Sequence, residues 1–184
     1  MPRLITKPYH RKMTKVSYRK AKLSDALCIS ILLKTVYIQT YALDGITIEF
    51  ANFITKRFSL EVIENTINQN PNNLIVAYHN ANPIGVAEIS YASKCPIKNI
   101  PVPELSKLYV MECFNGTGVG YGILQEVEKE VSSHGFKKIN LEVYLENERA
   151  LRFYKRQGYL AIGTVACQME TNTYQNIILN KVLN

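Results

Sequence analysis

The sequence predicts one mixed α/β domain built around a central sheet. Three observations carry that expectation. A chain of 184 residues suits a single domain. Short apolar runs with strand character alternate with segments of helical periodicity. A glycine-dense stretch, "CFNGTGVGYGILQEVEKEV" from Cys113 to Val131, joins a strand to a helix, with Gly116, Gly118, Gly120 and Gly122 at alternate positions.

Each element has its own signal. Val16 to Ala21 reads as a short strand. Ser24 and Asp25 offer N-cap chemistry for a helix running to about Thr40, with Ala26, Ile29, Leu32, Leu33 and Val36 at helical spacing. Residues 41–72 are less regular; they predict two shorter helices, with Ser59 capping the second. "NNLIVAYHN" and "IGVAEISYAS" are strands joined at the turn "HNANP", and so form a hairpin. "SKCPIKNIPVP" holds three prolines and reads as a loop before the strand "ELSKLYVME". The helix after the glycines extends to about His134, and Gly135 closes it at C′. In "KINLEVYLE", Ile139, Leu141, Val143 and Leu145 alternate onto one face. Asn147 caps a helix ending at Gly158, and "YLAIGTVACQ" and "YQNIILNKVL" are final strands, antiparallel neighbours.

Apolar residues make up 47% and charged residues 20%, an ordinary globular balance. No apolar run is expected to approach the roughly 18–20 residues that span a bilayer, and no signal-peptide core is seen. Cys28, Cys95, Cys113 and Cys167 are scattered, without a CxxC pair or a neighbouring His. That predicts reduced thiols in a cytoplasm and no metal. Cys113 reads as a packing residue.

The net charge of +7 is concentrated at one end. Arg3, Lys7, Arg11, Lys12 and Lys15 sit in the first fifteen residues without an acid, leaving 17 basic against 15 acidic residues beyond them. Residues 1–14 therefore read as a basic, flexible extension, or as a leader upstream of a start at Met13, and residues 15–184 as the domain. A basic arm can contact nucleic acid, although a solvated tail is the plainer reading.

A glycine-rich turn before a helix commonly faces phosphate, because the helix N-terminus has free N–H groups and a partial positive charge. The dinucleotide pattern G-x-G-x-x-G fails here: the third position falls on Tyr121 or Ile123. The P-loop pattern fails as well, since no Gly-Lys-Ser/Thr follows. What remains is Asn115-Gly116-Thr117-Gly118-Val119-Gly120, with Gly122 read as a packing glycine.

This loop resembles the Q/R-x-x-G-x-G/A coenzyme A signature of the GCN5-related N-acetyltransferases. A second match follows in order, "NERALRFYKRQGY", similar to N-x-x-A-x-x-F-Y-x-x-x-G-F/Y. The resemblance covers about residues 16–184. One departure is Asn115, where the family carries Gln or Arg. The resemblance implies a mostly antiparallel central sheet with helices on both faces, and fourth and fifth strands splayed to form an acetyl-CoA cleft. It implies direct acetyl transfer to a primary amine, with acetyl-CoA as cosubstrate.

Site residues carry over position by position. The N–H groups of Gly116, Thr117, Gly118, Val119 and Gly120, with Asn115, would wrap the pyrophosphate. Leu108, Tyr109 and Val110 would pair with the pantetheine arm like an added strand, with a backbone N–H near Val110 facing the oxyanion. Asn147 matches a position that meets the pantetheine or phosphate arm, and as an N-cap it serves both roles. Tyr154 matches the family's general acid, a phenol that protonates the leaving thiolate; Phe153 is expected to take the core position beside it. Glu104, eleven positions before Asn115, and Glu88, in mid-strand, are rival general bases; each also reads as a solvated or salt-bridged carboxylate. A water chain is the third option.

For the acceptor, "YIQTYALDGITIEFANFITKRFSLEVIENTI" resembles the region of bacterial spermidine/spermine-type acetyltransferases. That implies a polyamine held by Asp44, Glu49, Tyr41 and Phe50. A peptide N-terminus or a small-metabolite amine is the alternative. A coenzyme A-binding module without transfer activity, its basic arm on nucleic acid, is a second alternative. Homodimers are common in the family.

Overall fold

The computed structural model describes residues 15–42, 45–70, 72–168 and 173–183. The basic extension over residues 1–14, and Asp44, lie outside the described residues. The elements are β1 (Val16–Lys20), α1 (Ala26–Tyr41), α2 (Ile48–Arg57), α3 (Leu60–Gln69), β2 (Leu74–His79), β3 (Asn82–Ser90), β4 (Glu104–Val110), α4 (Val119–Ser133), β5 (Lys138–Tyr144), α5 (Glu148–Arg156), β6 (Leu160–Gln168) and β7 (Thr173–Val182). They form a mixed α/β structure with one seven-stranded sheet, ordered β1-β2-β3-β4-β5-β7-β6. Every neighbouring pair is antiparallel except β4 and β5.

Both faces of the inner strands are covered. Leu74, Val76 and Tyr78 of β2 pack with Ile29, Leu33 and Phe58 on the α1–α3 side. Ile75 and Ala77 point the other way, to Ile123, Leu124 and Val127 of α4. This two-sided burial is why "LIVAYH" is apolar without alternation.

The stretch Leu23–Tyr41 corrects one expectation. Its 19 residues, at mean hydropathy 1.2, are long and apolar enough by length and composition to cross a membrane. Here one side packs on the sheet through Ile29, Leu32, Leu33 and Val36, while Leu23, Leu27 and Ile31 face outward.

Local chemistry accounts for most helix ends. Ser59 accepts from Val62 N–H at 3.2 Å, and Asn147 from Ala150 N–H at 3.1 Å, as expected. Thr47 does the same for α2, accepting from Phe50 N–H at 3.2 Å, a cap beyond those predicted. Gly135, at φ 82°, terminates α4. Neither Ser24 nor Asp25 caps α1. A 3₁₀ turn over Leu23–Asp25 precedes the helix, and the Asp25 carboxylate reaches back to Lys22 N–H at 2.7 Å and to Arg19 at 2.8 and 3.1 Å. The predicted alternation in β5 also ends early. The strand stops at Tyr144, and Leu145 is exposed.

The geometry that positions the site lies in the middle of the sheet. β4 pairs with β3 from Glu104 to Val110. With β5 it pairs only at Glu104–Asn140 and Leu105–Leu141. Glu88 faces Lys107 while Ile89 faces Leu105, so Ser106 is an extra residue in β4. Such a bulge bends its strand. It falls where β4 leaves β5, and beyond it the facing edges of the two strands diverge.

Candidate active site

Three elements converge on that opening. Gly120, in the first turn of α4, lies against the end of β4 and against α5. A Cβ there would stand 3.8 Å from Phe153 Cζ, 3.8 Å from Val110 Cγ2 and 3.9 Å from Leu108 Cδ2. Leu108, Tyr109 and Val110 thus border both the open strand edge and the helix N-terminus.

The loop before α4 is shaped by two glycines. Gly116 and Gly118 adopt φ 75° and 89°, a region costly to residues with a Cβ. Gly118 is the N-cap of α4 and offers no side-chain acceptor, so the first-turn N–H groups lack an intrahelical or capping partner. Asn115 through Gly118 face solvent, and Val119 is buried beneath them. Thr117 is partly committed: its hydroxyl donates to Phe114 O at 2.6 Å and its N–H to the same carbonyl at 3.4 Å. Gly122 is a packing glycine, since a Cβ there would overlap the Tyr18 ring. Cys113 is exposed, which corrects its reading as a packing residue.

Tyr154 is more deeply placed than its motif predicts. It, not Phe153, is the buried member of the pair, at 7% exposure. Its ring meets Phe153 at 5.1 Å and Tyr159 at 5.5 Å. Amphipathic spacing cannot choose between adjacent aromatics at the edge of a helical face. Burial pushes the Tyr154 phenol well up, and the neighbouring Tyr41 adds to the shift, so it is a protonated donor at neutral pH.

A group of aromatic residues that sequence reasoning saw only in part lies on the α1 side. The Tyr37 ring is surrounded by Tyr41 at 4.5 Å, Phe58 at 5.3 Å, Phe50 and Phe53 at 5.7 Å, and Tyr109 at 6.2 Å. Burial, then Tyr41, pushes the Tyr37 phenol up to about 12, and Tyr109 is raised by the same causes. Tyr41 reaches toward the Tyr109 hydroxyl and the Asn147 amide, which partly offset its own upward shift from burial. The available signal was the i, i+4 spacing of Tyr37 and Tyr41 on one helix.

The two candidate bases differ in surroundings. Glu88 is paired across the strands with Lys107 at 2.6 Å, and both side chains are largely buried. Glu104 stands at the first position of β4, paired with Asn140 of β5, and lines a small cavity with Lys94, Asn140 and Glu142. Among the described residues, no group of three or more His, Cys, Asp or Glu could hold a metal ion.

A sheet opened between two parallel strands, with an uncapped helix N-terminus and a buried phenol at the opening, defines an acyl-transferase type of α/β domain. The family model described as an acetyltransferase (GNAT) domain matches residues 37–173, and the chain belongs to that family. An N-acetyltransferase of Mycobacterium tuberculosis, named as uncharacterized, is 36% identical over 61 residues, covering 33% of this chain. The match spans 39% of that relative's own length. Among solved structures, the PaiA N-acetyltransferase of Thermoplasma acidophilum in complex with coenzyme A is similar at TM-score 0.71 and 20% identity. It covers 92% of this chain and 99% of that one. YncA, a putative acetyltransferase of Salmonella typhimurium solved with acetyl-CoA, is similar at TM-score 0.68 and 16% identity, covering 93% and 95%. At these identities the structures share the fold.

Proposed function

We propose that the chain is an acetyl-CoA-dependent N-acetyltransferase that transfers the acetyl group directly to a primary amine. The observation that carries this reading is the open edge of β4 over Ser106–Val110, flanked by the Gly116–Gly120 loop and by Tyr154. The pantetheine arm is read as pairing with Leu108, Tyr109 and Val110, and the pyrophosphate as lying on the first turn of α4, with Asn115 and Asn147 at its margins.

An ammonium near pKa 10.4 first gives one proton to a base. Its lone pair attacks the thioester carbon, and a β4 backbone N–H near Val110 steadies the oxyanion. The C–S bond breaks as the C–N amide forms. The thiolate takes a proton from Tyr154, which recovers one from the amide nitrogen. Glu104 is preferred as base because Glu88 is already held by Lys107.

The acceptor we infer is a polyamine such as spermidine or spermine. Its support is the ring group around Tyr37, with Tyr41 and Phe50, which offers aromatic faces to an ammonium. Glu49 sits in the first turn of α2, near Phe50. A reducing cytoplasm belongs to the same proposal and rests on four scattered cysteines, all free.

The test is thiol release from acetyl-CoA over spermidine, spermine, free amino acids, a Lys peptide and peptides with free N-termini. Spermidine-dependent release well above the amine-free rate is expected. Release with peptides alone would discard the polyamine. Protein that binds acetyl-CoA but releases no thiol with any amine would be a binding module instead.

A further inference from the structure

The ion pair between Glu88 and Lys107 has no part in the transfer chemistry, yet it sits on the bulge that opens the sheet. Glu88 Oε2 accepts from Lys107 Nζ at 2.6 Å, and both side chains are largely buried. The backbone oxygen of Glu88 accepts from Ser106 Oγ at 3.2 Å. Glu88 thus holds both residues that oppose it at the bulge, Ser106 by its carbonyl and Lys107 by its carboxylate.

Neighbouring side chains show what the extra residue does. Leu105 is buried on the α4 side, and Leu108 and Val110 pack against the same cluster. Tyr109 packs on the α1 side, as does Val86 opposite it. Strict alternation would put Leu105 and Leu108, three positions apart, on opposite faces. The extra residue brings them to one face. It also decides which later N–H groups turn to β3 and which to the open edge, because a shift of one residue reverses the alternation.

An unbulged β4 would continue from the Leu105–Ile89 pair by setting Ser106 against Glu88 and Lys107 against Ala87. Lys107 would then point with Ala87 into the apolar cluster under α4, its charge unpaired. Burying a charge without a partner is costly. The bulged register instead places Lys107 directly across from Glu88. A buried ion pair adds little net stability, but the penalty for breaking it selects one register over others.

We propose that Glu88 and Lys107 are positioning residues that lock β4 in its bulged register, and so present the edge over Leu108–Val110 to the cofactor's extended arm. The inference rests on the reading of that edge as the cofactor's strand partner. Under it the Glu88 carboxylate holds a strand in register and takes no proton from the acceptor.

Lys107→Met keeps the length of the side chain and removes the charge that keeps it out of the α4 side. Glu88→Gln keeps the shape of its partner, and it carries the test if Lys107→Met does not fold. In calorimetry of the full chain with coenzyme A, each should weaken affinity by about 10-fold, the scale of a coupled pair. The exchanged pair, Glu88→Lys with Lys107→Glu, should return affinity to within about 3-fold of wild type. Unchanged affinity in both single variants, or an exchanged pair weaker than either, would overturn the proposal. In thiol release, Glu88→Gln should lose the same factor at pH 7 and near pH 10. Recovery near pH 10, where much of the acceptor arrives deprotonated, would make Glu88 a base and refute the positioning role. Amide hydrogen exchange reads the register without any ligand. In Lys107→Met the β4 amides bonded to β3 should exchange about 10-fold faster, with β5 and β7 unchanged. Unchanged exchange along β4, or a rise spread equally over β5 and β7, would count against the lock. A wild-type chain that binds no coenzyme A, or releases no thiol with any amine, would count against the transferase reading, whereas exchange along β4 judges the lock by itself.

Discussion

At the scale of single residues, Tyr154 carries the sharpest expectation. Its ring is packed between Phe153 and Tyr159, so Tyr154→Phe keeps the packing and removes one hydroxyl. The raised phenol pKa means that wild-type activity should show no loss of this acid below about pH 10. If Tyr154 protonates the thiolate, Tyr154→Phe should lower kcat by about 100-fold while leaving acetyl-CoA affinity in place. Equal kcat in the two proteins would remove Tyr154 from the chemistry and leave it a packing residue. Asp25 offers a second test, of stability. Burial pushes its carboxyl up, but the Arg19 guanidinium and the Lys22 N–H outweigh that and hold it at about 2. Unfolded, the same group titrates near 3.9. A depressed carboxyl contributes in full above about pH 4 and loses its contribution as pH falls toward 2. The amount is roughly 2 kcal/mol. Asp25→Asn should therefore flatten the urea-midpoint curve between pH 4 and pH 2, and an unchanged slope would deny the linkage.

At the scale of elements, the hairpin between β2 and β3 turns on Asn80 and Ala81, with φ 49° and 64°. Two successive positive φ values define the turn that matches strand twist, and its preferred pair is Asn-Gly. Ala81 adopts this conformation against its own sterics, a cost of about 1–2 kcal/mol. Ala81→Gly should raise stability by up to about 1 kcal/mol once the extra freedom of glycine in the unfolded chain is deducted. A lower urea midpoint would contradict the turn geometry. The elements legible in the sequence are those whose cause is local. Ser59, Asn147 and Gly135 mark helix ends because a cap binds backbone within three residues. "LIVAYH" marks a central strand because both faces are covered. What was not legible is set by partners far along the chain. Asp25 turned away from capping because Arg19 of β1 was in reach. Alternation in "KINLEVYLE" ran on to Leu145 because a pattern does not register where pairing stops. The Ser106 bulge depends on the register of β4 against β3, and the Asn140 amide is held by Asn180 of β7. Of the candidate site, the glycine loop, Asn147 and Tyr154 are proposed from two motifs, whereas the rings around Tyr37 and the cavity beside Glu104 required the assembled sheet.

At the scale of the whole molecule, the sheet is two halves joined at one narrow place. β1 through β4 form a continuous antiparallel half between α1–α3 and α4, and β5, β7 and β6 form the other. Between them are only the pairings at Glu104–Asn140 and Leu105–Leu141. Backbone groups on the divergent edges, Ser106–Val110 of β4 and Glu142–Tyr144 of β5, have no strand partner across the gap. Unpaired sheet edges elsewhere invite another strand; under the proposed function an extended cofactor arm would supply one. Binding should then couple the halves. A ligand at 100 times its Kd stabilises the native state by about 2.7 kcal/mol. Coenzyme A should accordingly raise the thermal midpoint by several degrees. Hydrogen exchange should localise the effect: the amides of β4 that point toward β5 should slow on binding, while those already bonded to β3 should change little. Protection confined to the α4 N-terminus would mean that phosphate contact alone holds the cofactor and that β4 does not receive the pantetheine arm. Protection along β4 as well would show that the bulge at Ser106 makes room for a ligand strand in the sheet.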